Sequence, residues 1–206
     1  MNRALGLREQ KKLATKAALH EAAIRLAVRD GYDAVTVEAI ADAAGVSRRT
    51  FSNYFGSKEE AVLYGDSTRL QSLLDAVAAR PAEDSAWTAL RAATNSVLRE
   101  LQRRRRECRD EDEPDWLTRA RLIRSHPVLL SRQAAAYASF ERALADELVH
   151  RLPQESGNSV MRARVIAACF LAALRVGTQT WLDHSTDASL SEIIDEVLAE
   201  AGRRFE

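Results

Sequence analysis

The chain has 206 residues, 46% of them apolar, and its 30 basic and 30 acidic residues give a formal net charge of zero. A net charge of zero excludes a protein whose whole surface is basic for nucleic-acid binding. The chain also has no apolar run near the ~20 residues that a membrane span needs. Its two cysteines, Cys108 and Cys169, lie far apart and match neither a metal-ligand spacing nor a disulfide framework. With a polar, basic N-terminus that argues against a secretory signal, we expect a cytoplasmic protein without metal, cofactor or membrane association.

Positive charge is concentrated at the start of the chain. Residues 1–16 contain five basic residues and one acidic residue, a net charge of +4 (five minus one), and all four lysines lie at or before Lys58. This distribution predicts a local anion-binding face, although a solubilising tail has the same composition.

The first eighty residues show helical periodicity and no strand pattern. Four helices are predicted there, at 9–30, 37–44, 47–54 and from Ser57 to about Ala79. Gly31 ends the first helix, Thr36 is a suitable N-cap for the second, and residues 57–60 have the spacing of a capping box.

A lone glycine, Gly45, separates two short helices, an arrangement typical of a helix-turn-helix. Glycine adopts the left-handed backbone that a tight turn needs, and the small Ala41 lets the two helices approach closely. The apolar side chains expected to fill the angle between them are Ile40, Val46, Phe51 and Phe55.

The second of these helices presents basic and polar residues on its outer face. The residues predicted to contact DNA bases are Arg48, Arg49 and Ser52, since arginine matches guanine O6 and N7 in the major groove. The residues predicted to contact phosphates are Thr36, Ser47, Thr50, Tyr54 and Lys58. An ordinary helical hairpin with a solvated basic face is the alternative.

The stretch TVEAIADAAGVSRRTFSNYFGSKEEAV, residues 36–62, resembles the DNA-binding motif of TetR-type transcriptional regulators. The preceding EAAIRLAVRDGYDAV looks like the first helix of that family, and the resemblance covers about residues 13–65. His20 and Ala27 depart from the pattern, which usually has an aliphatic and an aromatic residue there, so the packing of the first helix is in question.

The resemblance implies a homodimer with a DNA-binding domain at residues 1–56 and a ligand-binding and dimerisation domain at residues 57–206. By position, the base-reading and phosphate-contacting residues are those named above. A basic arm before the first helix would add Lys12, with Arg8 and Lys11.

Five further helices are predicted at about 84–108, 114–125, 127–152, 159–183 and from Ser189 onward, which makes the chain all-α with about nine helices: an N-terminal three-helix module and a C-terminal bundle. We interpret the eighth and ninth as the dimer surface. The eighth is apolar over most of its circumference, so we expect one face against its own subunit and another against a partner. A central helix buried within one monomer is the alternative. Small side chains that favour close approach are Ala167, Ala168, Ala172 and Ala173.

Candidate ligand-pocket residues lie on the fifth to eighth helices: Trp87, Leu90, Trp116, Ile123, Tyr137, Phe140, Phe170 and Arg175. An ordinary core role is the alternative for the apolar members. Arg175 lies in an apolar stretch of sequence, where it either reaches the surface, pairs with an acid or meets an anionic ligand.

The segments LIRSHPVLLSRQAAAYASFERALADELVHRL and AACFLAALRVGTQTW are similar to a TetR subgroup that includes the mycofactocin-associated regulators. The C-terminal domain of that subgroup is described as binding acyl-CoA-like ligands, which implies such an effector here. Cations for its phosphates would come from Arg119, Arg121 and Arg124 or from the run Arg103–Arg106. That run has a structural alternative, since cations favour a helix C-terminus and an acidic run follows at 110–113.

Together these features predict a homodimeric, ligand-responsive repressor that is released from a palindromic double-stranded DNA operator by a small hydrophobic or acyl-CoA-like effector. A constitutive DNA-binding protein whose C-terminal domain serves only dimerisation is the alternative, and activation instead of repression stays open. We expect no enzyme, because the chain has no phosphate loop, nucleophile elbow or metal-ligand spacing and its four histidines are dispersed.

Overall fold

The computed structural model describes residues 6–107, 116–152, 158–183 and 189–203, without the side chains of 104–107, 116 and 117. Within these ranges the chain forms helices and no strand. The helices are α1 (Leu7–Asp30), α2 (Val37–Ala43), α3 (Arg48–Ser52), α4 (Lys58–Ala78), α5 (Ala86–Glu107), α6 (Trp116–Ser125), α7 (Pro127–Val149), α8 (Ser159–Asp183) and α9 (Leu190–Gly202). A 3₁₀ turn at Tyr32–Ala34 follows α1. The all-α prediction is confirmed, and α3 and α7 are each a few residues shorter than predicted.

Local capping explains several helix starts. The amide of Ala39 donates to Thr36 Oγ1, which confirms the predicted N-cap of α2, and the amide of Thr50 donates to Ser47 Oγ, so Ser47 caps α3. At α9 the capping box is complete, because the Ser189 and Glu192 side chains each accept a hydrogen bond from the other's backbone amide. At Ser57 the box is altered, and the carboxylate of Glu60 accepts instead from the amide of Gly56.

The chain divides into two compact units. The head unit contains the described residues of 1–67 and 110–134, and the body unit contains those of 68–109 and 135–206. Helix α6 and the start of α7 therefore belong with the N-terminal helices. The domain boundary after residue 56 remains a prediction. The head unit also includes a segment that is distant in sequence, the described residues of 110–134.

The head unit has its own hydrophobic core beneath the short helices. Its largest buried side chains include Leu19, Ile24, Ile40 and Phe51, and Leu129 from α7 joins them. Burial of such side chains contributes roughly 1.5–3 kcal/mol each. The core thus holds α2 and α3 in a fixed relation to the rest of the head.

The body unit is built around Trp87 of α5, which is fully buried. Its indole N–H donates to the carbonyl of Leu198 on α9 at 3.0 Å, and its ring meets that of Phe170 edge-on at 6.2 Å. Arg91 and Asp195 join the same two helices through an ion pair at 2.9 Å.

In the part of the chain that the structure describes, no helix is long and apolar enough to cross a membrane.

Candidate DNA-binding site

The turn between α2 and α3 depends on Gly45, whose φ of +68° is the left-handed value expected from the sequence. The amide of Val46 donates to the carbonyl of Ala41 at 2.9 Å, and the amide of Gly45 donates to Asp42 at 3.0 Å. This pair of bonds is a Schellman motif, which satisfies the last carbonyls of α2 while it redirects the chain. The lone glycine therefore ends one helix and orients the next.

Packing fixes the angle between α2 and α3. Ile40 and Ala41 on α2 are fully buried, and Phe51 on α3 is 1% exposed. The rings of Phe51 and Phe55 lie 5.7 Å apart, and Val46 packs at the edge of the same cluster. The core residues predicted for the helix-turn-helix are confirmed.

One face of α3 is left to solvent. Arg48, Arg49 and Ser52, the predicted base-contacting residues, are all exposed, as is the neighbouring Asn53. Since the opposite face is held by Phe51, these side chains point away from the head core together. The arrangement presents two guanidinium groups and a hydroxyl, which are the donor types that read base edges in the major groove.

The predicted phosphate contacts differ in their surroundings. Thr36 and Ser47 are exposed caps, and the hydroxyls of Ser47 and Thr50 lie 2.8 Å apart. Tyr54 is half-buried, and Lys12 is exposed on the first turns of α1. Hydroxyl and ammonium groups in such positions can donate to phosphate oxygens, and that role stays a prediction.

Lys58 has a structural role that sequence reasoning missed. Its Nζ donates to the carbonyls of Tyr32 at 3.0 Å and Val35 at 2.9 Å, and it lies 4.3 Å from the centre of the Tyr32 ring. An ammonium has three N–H groups, so one lies beyond these two bonds. The lysine therefore ties the segment after α1 to the start of α4, and a phosphate contact would use its third N–H.

A polar network surrounds the same segment. The hydroxyl of Tyr32 donates to Glu59 at 2.5 Å, and Arg132 of α7 lies 3.9 Å from the same carboxylate. Burial and the hydrogen bond to Glu59 raise the pKa of Tyr32. Burial acts to raise the pKa of Glu59, but hydrogen bonds from Tyr32 and Ser57 outweigh it and hold that pKa below its ordinary value. Tyr32 and Glu59 are 27 residues apart, and no sequence motif links them, so the sequence alone did not predict this network.

The unusual His20 of α1 is buried and hydrogen-bonded. Its Nδ1 lies 2.7 Å from the carbonyl of Ala61 and its Nε2 lies 3.4 Å from Arg119 Nη1, while Arg119 Nη2 donates to Glu21 at 2.8 Å. A carbonyl only accepts, so Nδ1 carries the proton and Nε2 can accept from arginine. With Ala27 also buried in the head core, the two departures from the family pattern are accommodated by packing.

The predicted pocket residues do not form one group. Trp87, Leu90, Phe140 and Phe170 belong to the core of the body unit, whereas Ile123 belongs to the core of the head unit. Tyr137 and Arg175 are exposed, and a ligand contact of either stays a prediction. The side chain of Trp116 lies outside the described residues.

The arginine run at the end of α5 is described only in part. Arg103 pairs with Glu100 at 2.7 Å, which fits a structural role on the helix surface. The side chains of residues 104–106 lie outside the described part. Of the other candidate cations, Arg119 is occupied by Glu21, and Arg121 and Arg124 are exposed.

Helix α8 keeps an exposed apolar row although it packs along α9. The row consists of Met161, Val165, Ala168, Ala172 and Val176. These positions are spaced by three or four residues, so they share one face of the helix. Of the four alanines expected at a partner contact, Ala167 and Ala173 instead face the body core.

Comparisons with known proteins agree with this geometry. Residues 19–63 match the family of bacterial regulatory proteins named tetR, and residues 84–206 match the MftR C-terminal domain. The HTH-type transcriptional regulator TcmR of Streptomyces glaucescens is 32% identical over 176 residues, which span 85% of this chain and 76% of TcmR.

Two solved structures share the fold. FadR of Thermus thermophilus, a TetR-family repressor in complex with lauroyl-CoA, has a TM-score of 0.52 at 22% identity and covers 90% of this chain and 92% of its own. The fatty acid degradation regulator FadR of Bacillus halodurans has a TM-score of 0.59 at 18% identity and covers 99% and 100%. At these identities the likeness extends to the fold alone.

Proposed function

Because the chain belongs to the TetR family of bacterial regulatory proteins, we propose that it is a homodimeric repressor released from a palindromic operator by a hydrophobic or acyl-CoA-like effector. The family membership makes it a DNA-binding transcriptional regulator. The sense of regulation, the dimer surface, the DNA-contacting residues and the effector class are the parts that we propose.

The observation that carries the proposal is the outward face of α3. The left-handed Gly45 and the buried Phe51 turn Arg48, Arg49 and Ser52 to solvent on one short helix. Arginine in the major groove forms a pair of hydrogen bonds with guanine. Each such pair contributes about 1–3 kcal/mol of discrimination against the wrong base. We therefore assign the base contacts to these three residues. The phosphate contacts are assigned to Lys12, Thr36, Ser47, Thr50, Tyr54 and Lys58.

The test is a selection from a pool of duplexes with a randomised central segment, followed by titration of the recovered sequence. Arg48→Ala or Arg49→Ala should relax the preference at single base pairs, because each removes a base contact. Arg29→Ala is the matched control, since Arg29 is an exposed arginine of the head unit that pairs with its neighbour Asp30 at 2.6 Å. An equal loss of affinity on every sequence from all three variants would contradict the assignment.

Lys58 requires a separate test because the structure gives it two roles. Lys58→Ala should weaken binding to all sequences and reduce the salt slope by about one, if the third N–H meets a phosphate. It should also lower the melting temperature, because two carbonyls lose their donor. A lower melting temperature with an unchanged salt slope would leave only the structural role.

We propose that the exposed row on α8 forms the subunit contact. Apolar residues repeated along one helix face are suited to a second copy of the same surface under two-fold symmetry. Val165→Glu should convert a dimer to monomers in sedimentation, whereas Val128→Glu should not, because Val128 is similarly exposed but lies on α7. A dimer that survives Val165→Glu would contradict this surface.

Two-fold symmetry also predicts the form of the operator. A dimer presents two copies of α3, which meet half-sites about 34–36 Å apart or at a multiple of that spacing. The selected duplexes should therefore contain an inverted repeat. Recovery of a single half-site without its inverted copy would contradict binding of the DNA by a dimer.

The effector class is supported by the MftR-type C-terminal match and by a neighbour solved with lauroyl-CoA. Lauroyl-CoA should release the protein from the selected duplex with a change in affinity of about 5–150-fold, the usual size of allosteric coupling. Free coenzyme A and free laurate are the matched controls, since each carries half of the ligand. Unchanged DNA affinity with every hydrophobic ligand would favour a constitutive DNA-binding protein.

We infer no catalytic activity, since the matching relatives are regulators and the proposed role requires only binding. A regulator of this kind acts where the chromosome lies, so we also propose a cytoplasmic location. Fluorescence of a tagged chain should coincide with the nucleoid, and a peripheral or exported signal would contradict this location.

A further inference from the structure

The first residue of α3 is paired with the first turn of α2. Arg48 Nη1 lies 2.8 Å from Glu38 Oε1, and the two side chains are 71% and 53% exposed. An ion pair this exposed contributes little to stability, because water and salt screen it. The pair lies on the surface that faces DNA in the proposed function, so we expect it to influence the recognition of bases.

We propose that Glu38 is a positioning residue that sets the base preference of Arg48. This inference rests on the proposed function, in which Arg48 contacts a base. Arg48 would make that contact, and Glu38 would act through it by holding one side of the guanidinium group.

The chemistry of arginine supports this division of roles. A guanidinium has five N–H donors in a planar fork, and the approach to Glu38 engages the Nη1 side. The edge formed by Nε and Nη2 then remains for the paired O6 and N7 acceptors of guanine. A guanidinium held on one side has fewer orientations to lose when it meets the base.

The carboxylate also acts against the competing partner of Arg48. DNA phosphates attract a guanidinium strongly and without regard to sequence. A negative charge within the ion pair offsets that attraction and repels the DNA backbone, so the pair favours contacts that only the correct base offers. Removal of Glu38 should therefore raise binding to unrelated DNA while it lowers selectivity.

The carboxylate is held on a rigid element. Glu38 lies in the first turn of α2, and that helix is anchored by the buried Ile40 and by the Thr36 cap. The same turn and core that orient α3 thus also place the carboxylate relative to Arg48. Arg49, for which the structure describes no ion pair, provides a comparison on the same helix.

The experiment uses the full chain and the duplex recovered from the randomised pool, together with its single-base variants and one unrelated duplex. The variants are Glu38→Gln, Glu38→Asp, Arg48→Ala, the double variant of Glu38→Gln with Arg48→Ala, and the control Asp42→Asn. Asp42 is an exposed carboxylate on the same helix, so its change removes an equal charge. Melting temperatures check that each variant is folded.

We expect Glu38→Gln to reduce preference by about tenfold at the base pair where Arg48→Ala removes it, the scale of one lost paired contact. Asp42→Asn should raise affinity for all duplexes without this loss. Glu38→Asp keeps the charge but shortens the reach, so it should lose the preference without the gain on unrelated DNA. The double variant should show the same preference as Arg48→Ala alone.

Two results would overturn the assignment. Wild-type preference in Glu38→Gln would leave the ion pair without influence on reading. A loss at a base pair that Arg48→Ala leaves intact would mean that Glu38 contacts a base itself, since a carboxylate accepts from cytosine N4. If the wild-type chain recovers no preferred sequence, the proposed function fails and this assignment fails with it.

Discussion

The substitution Gly45→Ala tests the turn that orients the exposed face of α3. A φ of +68° lies in the left-handed region, where an L-residue with a Cβ is disfavoured by about 1–2 kcal/mol. A Cβ built at Gly45 meets no atom within 4 Å, so steric overlap adds nothing to that figure. Since 1 kcal/mol shifts the melting temperature of a chain this size by about 2–4 °C, we expect a fall of about 2–8 °C.

The assay is thermal unfolding by circular dichroism, paired with titration of the selected duplex. Alanine relieves its strain by leaving the left-handed region, which changes the angle between α2 and α3, so affinity should fall along with stability. Gly45→Asn is the matched control, because asparagine tolerates the left-handed region better than alanine and adds a larger side chain. We expect the asparagine variant to retain more stability and more affinity than the alanine variant.

Two results would refute this reasoning. Wild-type stability and affinity in Gly45→Ala would mean that the backbone at this residue is not constrained. Equal losses in the alanine and asparagine variants would mean that contact with a Cβ, and not the sign of φ, sets the requirement.

Three further predictions concern the body unit. Gly202→Ala places a Cβ against the indole of Trp87, so overpacking should lower the free energy of unfolding by about 1–3 kcal/mol in chemical denaturation, and an unchanged midpoint would contradict this contact. The Arg91 guanidinium holds the pKa of Asp195 below its ordinary value, so the stabilisation is present above the ordinary carboxyl pKa of about 4 and is lost as the pH falls. Wild type and Asp195→Asn should therefore differ by under about 1 kcal/mol at neutral pH and converge in acid, and parallel pH profiles would count against the pair. Ser189→Ala removes the side-chain acceptor at the start of α9, so the melting temperature should fall by about 2–4 °C for a loss near 1 kcal/mol, and no shift would show that the cap is dispensable.

The order of the helices could be predicted because its signals are local. Thr36, Ser47 and Ser189 each accept a hydrogen bond from an amide three residues away, and the turn at Gly45 is closed by backbone hydrogen bonds that span three and five residues. Such contacts are set by residue type and spacing, which the sequence contains directly. The hairpin of α2 and α3, with its buried Phe51 and exposed arginines, follows from them.

The candidate ligand residues were harder to predict because a stripe of apolar residues marks burial without indicating which core receives it. Ile123 and Phe170 are both apolar residues on predicted helices, yet they enter the cores of different units. Arg175 lies among apolar neighbours in sequence but on the exposed side of α8. Periodicity gives the face of a helix, whereas the partner of that face depends on the packing of the whole unit.

The amino-acid sequence by itself determined an all-helical chain in which a turn at Gly45 joins α2 to α3, because caps, turns and helix faces follow from neighbours a few residues apart. Tertiary structure alone decided which charged and polar groups meet: Lys58 with the carbonyls of Tyr32 and Val35, Arg48 with Glu38, and Arg119 with Glu21. These partners lie from 10 to 98 residues apart in the chain. An ion pair or hydrogen bond over such a separation forms only where packing brings the two groups within about 3 Å. The local pattern of residue types cannot predict that distance, because it depends on how the helices pack.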